Sequence, residues 1–187
     1  MMPLRKEDNM LTYDQYLSMG ENVKYEIIDG ELYNMSPSPS VKHHTIAKEL
    51  VTEFNIYLRG KKCEVIPEID VSLEGLEDVT KIREWVRPDI SVICDKSKKK
   101  ENHIAGAPDL VIEILSKSTA QKDKVTKFNL YKNSGVKEYW IVDPAYDLVE
   151  VYFLENKEFV KKGTFSKQDK VKVNIFDDLF IDLDLIF

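Results

Sequence analysis

The chain lacks any apolar run near the roughly 20 residues that crossing a bilayer requires. Its opening stretch, Met1-Met2-Pro3-Leu4-Arg5-Lys6-Glu7-Asp8, has no apolar segment of signal-peptide type. No membrane association is expected. Only two cysteines occur in 187 residues. Cys63 and Cys94 have neither the paired spacing of a zinc site nor the density of a disulfide scaffold. They read as reduced, ordinary residues in a cytoplasmic protein. Net positive charge is absent too: the formal charge is −6, which argues against a general nucleic-acid coat, because phosphate binding needs clustered cations. There is no internal repeat, low-complexity tract, domain linker, helix-turn-helix or zinc finger. What remains, at 43% hydrophobic content, suits one domain over 1–187 with a real core.

The charge that is present is unevenly spread. Lys117, Lys122, Lys124, Lys127, Lys132 and Lys137 face a single acid, Asp123, in their stretch of chain. Lys96, Lys98, Lys99 and Lys100 form another basic cluster, while Asp177, Asp178, Asp182 and Asp184 gather near the C-terminus. A basic face is compatible with local phosphate contact, with Lys122 and Lys124 as candidates. A solvated lysine face is the commoner explanation.

Two acids stand out. Asp89 lies in Val86-Arg87-Pro88-Asp89-Ile90, and Glu113 in Leu110-Val111-Ile112-Glu113-Ile114-Leu115. Each sits in a short apolar run that reads as a buried strand. A carboxylate there is costly without a partner. Neighbouring strands lie about 4.8 Å apart, so acids on one face can share a Mg²⁺ or Mn²⁺. The plainer alternative is an exposed aspartate at a strand end and a glutamate paired with a lysine.

The pattern predicts the rest of the order. Thr12 to Gln15 has capping-box spacing, so a short helix runs to about Gly20. Asp29-Gly30 between apolar stretches signals a hairpin. Ser40 caps a helix of about His43 to Leu58, whose stripe is Ile46, Leu50, Phe54 and Leu58 with Ala47, Val51 and Tyr57. Cys63 to Leu73 alternates as one half-buried strand. The Asp89 and Glu113 strands follow. Then come a helix of about Ala120 to Ser134 ended by Gly135, a strand over 136–142, a hairpin partner over 148–154, and strands near 158–162 and 170–175. The core order is helix, strand, strand, strand, helix, strand: an α/β domain with a mixed sheet and edge hairpins. Its parts are a helix and hairpin over 11–35, a core of about 40–143 and C-terminal strands over 146–187.

Several pieces together resemble the Uma family of restriction endonucleases, a branch of the PD-(D/E)XK nucleases. They are Tyr25-Glu26-Ile27-Ile28-Asp29-Gly30-Glu31, Met35-Ser36-Pro37, His43 with Ile46 and Leu50, and Arg87-Pro88-Asp89-Ile90. Next come Ala107-Pro108-Asp109-Leu110 through Ser116, and lastly Asp123, Lys127, Tyr131 and Gly135 to Asp143. The resemblance runs from about Leu11 to Leu154. It implies a restriction-endonuclease-like core and a metal-dependent endonuclease acting on DNA with Mg²⁺ or Mn²⁺. Asp89 and Glu113 become the metal acids. Leu115 stands where the superfamily's lysine is usual, and the resemblance moves that role to Lys127. Glu26 resembles an additional acid of the site.

Each assignment has a plainer counterpart. Asp123 and Lys127 at i, i+4 also read as an exposed pair worth about 0.3–0.5 kcal/mol. Val125, Phe128 and Tyr131 supply that helix's apolar stripe. Glu26 alone reads as a solvated strand acid, and His43 as a satisfied histidine that can orient Glu26 or meet a phosphate. Tyr131 and Trp140 read as core aromatics. Leu115 also keeps alive a nuclease fold that has lost activity and only binds nucleic acid or protein. A third class is an enzyme acting on another phosphate ester. Restriction-type nucleases often pair symmetrically, which makes a homodimer an expectation of the same resemblance.

Overall fold

The computed structural model describes residues 11–20, 23–35, 40–116 and 120–187. Thr12 caps helix α1 (Tyr13–Ser18), its hydroxyl accepting from Gln15 N at 3.1 Å while Gln15 Oε1 accepts from Thr12 N at 2.9 Å. Strands β1 (Tyr25–Ile28) and β2 (Glu31–Asn34) then form an antiparallel hairpin. Asp29 and Gly30 both have positive φ, as a two-residue turn of matching twist demands. Ser40 caps α2 (Val41–Leu58) by accepting from His43 N.

A six-stranded mixed sheet follows. Its strands are β3 (Glu64–Pro67), β5 (Ile90–Ile93), β7 (Leu110–Ile114), β8 (Glu138–Asp143), β9 (Leu148–Glu155) and β10 (Glu158–Ser166). They lie side by side in the order β10-β9-β8-β7-β5-β3. Only β7 and β8 run parallel, because α3 (Phe128–Ser134) crosses between them. Gly135, in the left-handed conformation, ends α3. Ile46, Leu50, Phe54 and Leu58 of α2 pack on one face of the sheet, against Ile90, Ile112, Trp140 and Val142. Fully burying such side chains favours folding by about 1.5–3 kcal/mol each before ordering costs. The other face carries Val111, Leu115, Tyr139 and Ile141 under Tyr131 of α3 and Ile28 of the hairpin.

The expected core order is present as α2, β3, β5, β7, α3 and β8. Three local expectations need correcting. The single strand expected over Cys63 to Leu73 is two strands in different sheets. Glu68, at φ 46° after Pro67, breaks it, and β4 (Asp70–Ser72) leaves to pair with β6 (His103–Ala105). Strands β6 and β12 (Phe180–Asp182) were not anticipated; β12 pairs with β11 (Lys170–Lys172). The cysteines are not reduced. Glu64 lies opposite Ile93 across β3 and β5, so the next pair outward, Cys63 and Cys94, meets and forms a disulfide. Residues 31 positions apart in sequence become cross-strand neighbours, which spacing rules for local motifs do not capture.

Candidate active site

The cleft is built where the hairpin, the first turn of α2 and the start of α3 converge on one end of the sheet. Its volume is about 1170 Å³. Asp89 directly precedes β5, and Glu113 is the fourth residue of β7. Alternation puts Asp89 with Ser91 and Ile93, and Glu113 with Val111 and Leu115, on the α3 face of the sheet. Both acids line the cleft. Asp89 Oδ2 accepts from Ile114 N at 2.7 Å, which ties it to the strand that carries Glu113.

Lys127 approaches from the helix. Its Nζ lies 2.8 Å from Glu113 Oε1, 2.6 Å from Glu26 Oε1 and 4.0 Å from Asp123 Oδ1. The exposed-pair reading of Asp123 and Lys127 is excluded, since each is only 2% exposed. The reason is local. Residues Lys122–Lys127 form a π-helical turn before the regular α3, wider than an α-turn. The expected stripe is thereby rotated: Val125, assigned to the core by α-periodicity, is 55% exposed, and Lys127 turns inward. Tyr131 completes the contact. Read as a core aromatic, it donates from its hydroxyl to Glu113 Oε1 at 2.6 Å. It stands four residues after Lys127 on the same helix face, and that spacing is the signal that would have found it.

Glu26 is fully buried on β1. Ile27 and Trp85 exchange backbone hydrogen bonds, which lays the hairpin along the segment leading to Asp89. Arg87 N then donates to Glu26 Oε1 at 2.9 Å. Lys122 also binds Glu26, through Oε2. Of the two lysines expected at phosphate, Lys122 is therefore engaged with an acid and Lys124 is exposed. Lys117 lies outside the described residues, as do Ser36 and Pro37 of the family-like stretch. His43 Nε2 faces Asp89 Oδ1 at 3.4 Å, not Glu26, and its Nδ1 has no hydrogen-bond partner among the described residues.

Electrostatics follow from this crowding. Burial pushes Glu113 up to about 8; Lys127 opposes the rise, while Asp123, Asp89 and Glu26 add to it. Burial also opposes ionisation of Glu26, but Lys127 and Lys122 outweigh it and hold this carboxyl below its ordinary value. Lys127 is the mirror case. Burial disfavours its charge, yet Glu113, Glu26 and Asp123 together raise it well above a free lysine. Burial lowers His43, and Asp89 more than restores it, leaving a net rise.

With this geometry the chain can be compared with known proteins. The model of the Uma2 family, described as "Putative restriction endonuclease", matches residues 11–184. The chain belongs to the Uma2 family. An uncharacterized protein of Synechocystis, slr1290, is 32% identical over 145 residues, covering 76% of this chain and 73% of its own. A second Synechocystis protein, sll1609, is 26% identical over 155 residues, covering 76% and 80%. The crystal structure of a putative nuclease belonging to DUF820, from Anabaena variabilis, superposes with a TM-score of 0.71 at 25% identity. It covers 94% of this chain and 97% of that one.

The donor set of this Uma2 chain suits a hard cation. Glu26, Asp89, Glu113 and Asp123 are four carboxylates around two ammoniums, those of Lys122 and Lys127. Carboxyl groups outnumber lysines, while the rise of Glu113 and the charge favoured on His43 reduce that excess. Among the described residues, no group of three or more His, Cys, Asp or Glu is arranged as a metal cage. Mg²⁺ needs none, since it keeps several waters and uses one or two carboxylates. Asp89 and Glu113 are the two that line the cleft from adjacent strands. Among the described residues no helix is long and apolar enough to cross a membrane.

Proposed function

We propose that this Uma2 protein is a metal-dependent endonuclease that hydrolyses DNA phosphodiester bonds, with Asp89 and Glu113 as ligands of Mg²⁺ or Mn²⁺. One observation carries the reading. A buried ammonium, Lys127, touches Glu113 in the cleft, although the strand offers Leu115 where the superfamily's lysine is usual. Burying an ammonium among three acids is costly, and such clusters of perturbed charges in a cleft gather at reactive sites. The nuclease activity that the family description and the name of the Anabaena protein both carry points the same way.

The residues divide the work. A divalent cation bound here supplies Lewis acidity to the phosphate and lowers the pKa of a bound water. Asp89 is held by Ile114 N and Glu113 by Lys127 and Tyr131, so both carboxylates are preorganised before substrate arrives. Lys127 holds its proton and offers a fixed positive charge to offset negative charge on the phosphate oxygens. That charge develops as the P–O bond to water forms and the P–O bond to the sugar breaks, with water giving a proton to solvent and the sugar oxygen taking one from it. Glu26 anchors that ammonium from the hairpin side. His43, also on the cleft wall, faces Asp89 Oδ1 and restrains that carboxylate.

The test joins calorimetry and cleavage. Titration of Mg²⁺ and Mn²⁺ should show binding that Asp89→Asn abolishes. Metal-stimulated cleavage, assayed on both duplex plasmid and single-stranded circular DNA, should vanish in Asp89→Asn and Glu113→Gln, with circular dichroism unchanged. Metal binding that is indifferent to Asp89, together with no cleavage in either metal, overturns the proposal.

A further inference from the structure

From the walls of the cleft we infer that the DNA it takes is single-stranded, with an unpaired base stacked on Tyr33. The inference rests on the nuclease reading above and goes on to name its substrate class. Its starting point is the hairpin register. Tyr33 on β2 lies directly opposite Glu26 on β1. Cross-strand partners share a face, so Tyr33 projects beside the carboxylate that anchors Lys127. The Tyr33 ring is half-buried, lines the cleft, and has the Lys122 ammonium 5.5 Å from its centroid. An aromatic face with a cation beside it is the platform on which single-strand binders stack bases.

The rest of the wall agrees. Leu32 and Val125 line the same cleft at 51% and 55% exposure. Val125 is out there because the π-turn rotates it from the core. Apolar side chains beside a cluster of acids do nothing for phosphates. They match the faces of bases, which a duplex hides in its stack and only an unpaired strand offers. The groups expected to act are deep: Glu113 is 3% exposed and Lys127 2%. A cleft of about 1170 Å³ has room for an unpaired nucleotide to reach them.

Among the described residues, several surface lysines already have acidic partners. Duplex affinity comes chiefly from cations laid along phosphates. Pairing of five such lysines with acids of the chain competes with their use on phosphates. Lys96 and Lys99 bind Glu64, Lys100 binds Glu77, Lys132 binds Glu158, and Lys137 binds Asp109.

Fluorescence anisotropy tests this on wild-type protein in EDTA and on Asp89→Asn in Mg²⁺. The probes are a labelled single strand of about 12 nucleotides and a hairpin duplex of the same sequence. The single strand should bind at least about tenfold more tightly. Tyr33→Ala should lose about tenfold on the single strand, and Tyr33→Phe should retain affinity, because the ring does the stacking. Leu32→Ser gives a second, smaller loss that does not depend on Tyr33. Equal or tighter duplex binding, or a Tyr33→Phe defect as large as that of Tyr33→Ala, overturns the inference. Cleavage of DNA with a duplex preference would leave the nuclease reading intact and sink this one. Single-strand preference with Tyr33 dependence, but no cleavage in any metal, would do the reverse.

Discussion

Adjacent strands of this sheet each bury a glutamate, and the two are treated in opposite ways. Glu138, on β8, points to the α2 face, where Trp140 Nε1 and Asn174 Nδ2 donate to Oε1 and Ile175 N donates to Oε2. All these donors are neutral and fixed, and none of the cleft-lining groups is among them. Glu113, on β7, points to the other face. It meets a lysine, a tyrosine hydroxyl and three further carboxylates at the edge of a cleft. Burial pushes both acids up. Glu138 is a staple that ties the C-terminal strands to the sheet. Glu113 is held among ionisable groups of both signs. Both acids are hydrogen-bonded, but only Glu113 sits among charged groups at a cleft, the setting in which reactive acids gather.

The largest break in this comparison should come from Lys127→Ala. It strips the shared cation from Glu26, Glu113 and Asp123, and removing one partner from a buried charge set costs about 3–5 kcal/mol. Urea unfolding should show that loss. Cleavage by the folded fraction should fall far more than DNA affinity does, as expected of a contact made mainly in the transition state. A variant that unfolds like wild type and cleaves like wild type would remove Lys127 from the site.

Next in size is a pH effect peculiar to Glu113. The unfolded chain releases this proton near pH 4.3, at about the ordinary glutamate value. The folded protein holds it until about 8. Stability that is fully present below the unfolded value is therefore lost as pH rises through the folded one. Urea midpoints should fall between about pH 4.3 and 8, and Glu113→Gln should flatten the slope. His43 titrates in the same direction, because Asp89 raises it. Its share is read from Asp89→Asn, which removes that partner. An unchanged slope in Glu113→Gln would show that the glutamate is not held protonated.

Glu138→Ala tests the other half. It strands the Trp140, Asn174 and Ile175 donors, at a cost of about 1–3 kcal/mol. Cleavage per folded molecule should not change. A catalytic defect without a stability defect would collapse the distinction between the two acids. Lys124→Ala is the smallest of the set. Lys124 is exposed one turn from Lys127, so its removal should alter stability by less than about 0.5 kcal/mol. Should it match Lys127→Ala in rate, the burial of Lys127 would have no catalytic meaning.

Much of this was legible beforehand because the signals are local. The Thr12 capping box, the Asp29-Gly30 turn, the α2 stripe and the Gly135 stop each depend on residues within a few positions, and each appears where the pattern puts it. What escaped depends on distant strands or on helix phase. The break at Glu68, the disulfide between Cys63 and Cys94, and the burial of Glu138 all follow from which segments become neighbours. The inward turn of Lys127 follows from a π-turn that α-periodicity does not contain.

By itself, the sequence determined the α/β order and the two segments that bear Asp89 and Glu113, because alternation along a strand is fixed by backbone geometry. The pairing of β5 with β7 decided that the two acids share a face. It also placed a lysine on the next helix. Only the tertiary structure decided that this lysine is buried, that Glu26 from a remote hairpin shares it, and that Tyr131 and His43 meet the two acids. Charge pairing inside a protein is a matter of distance and solvent exclusion, and both are set by how elements pack.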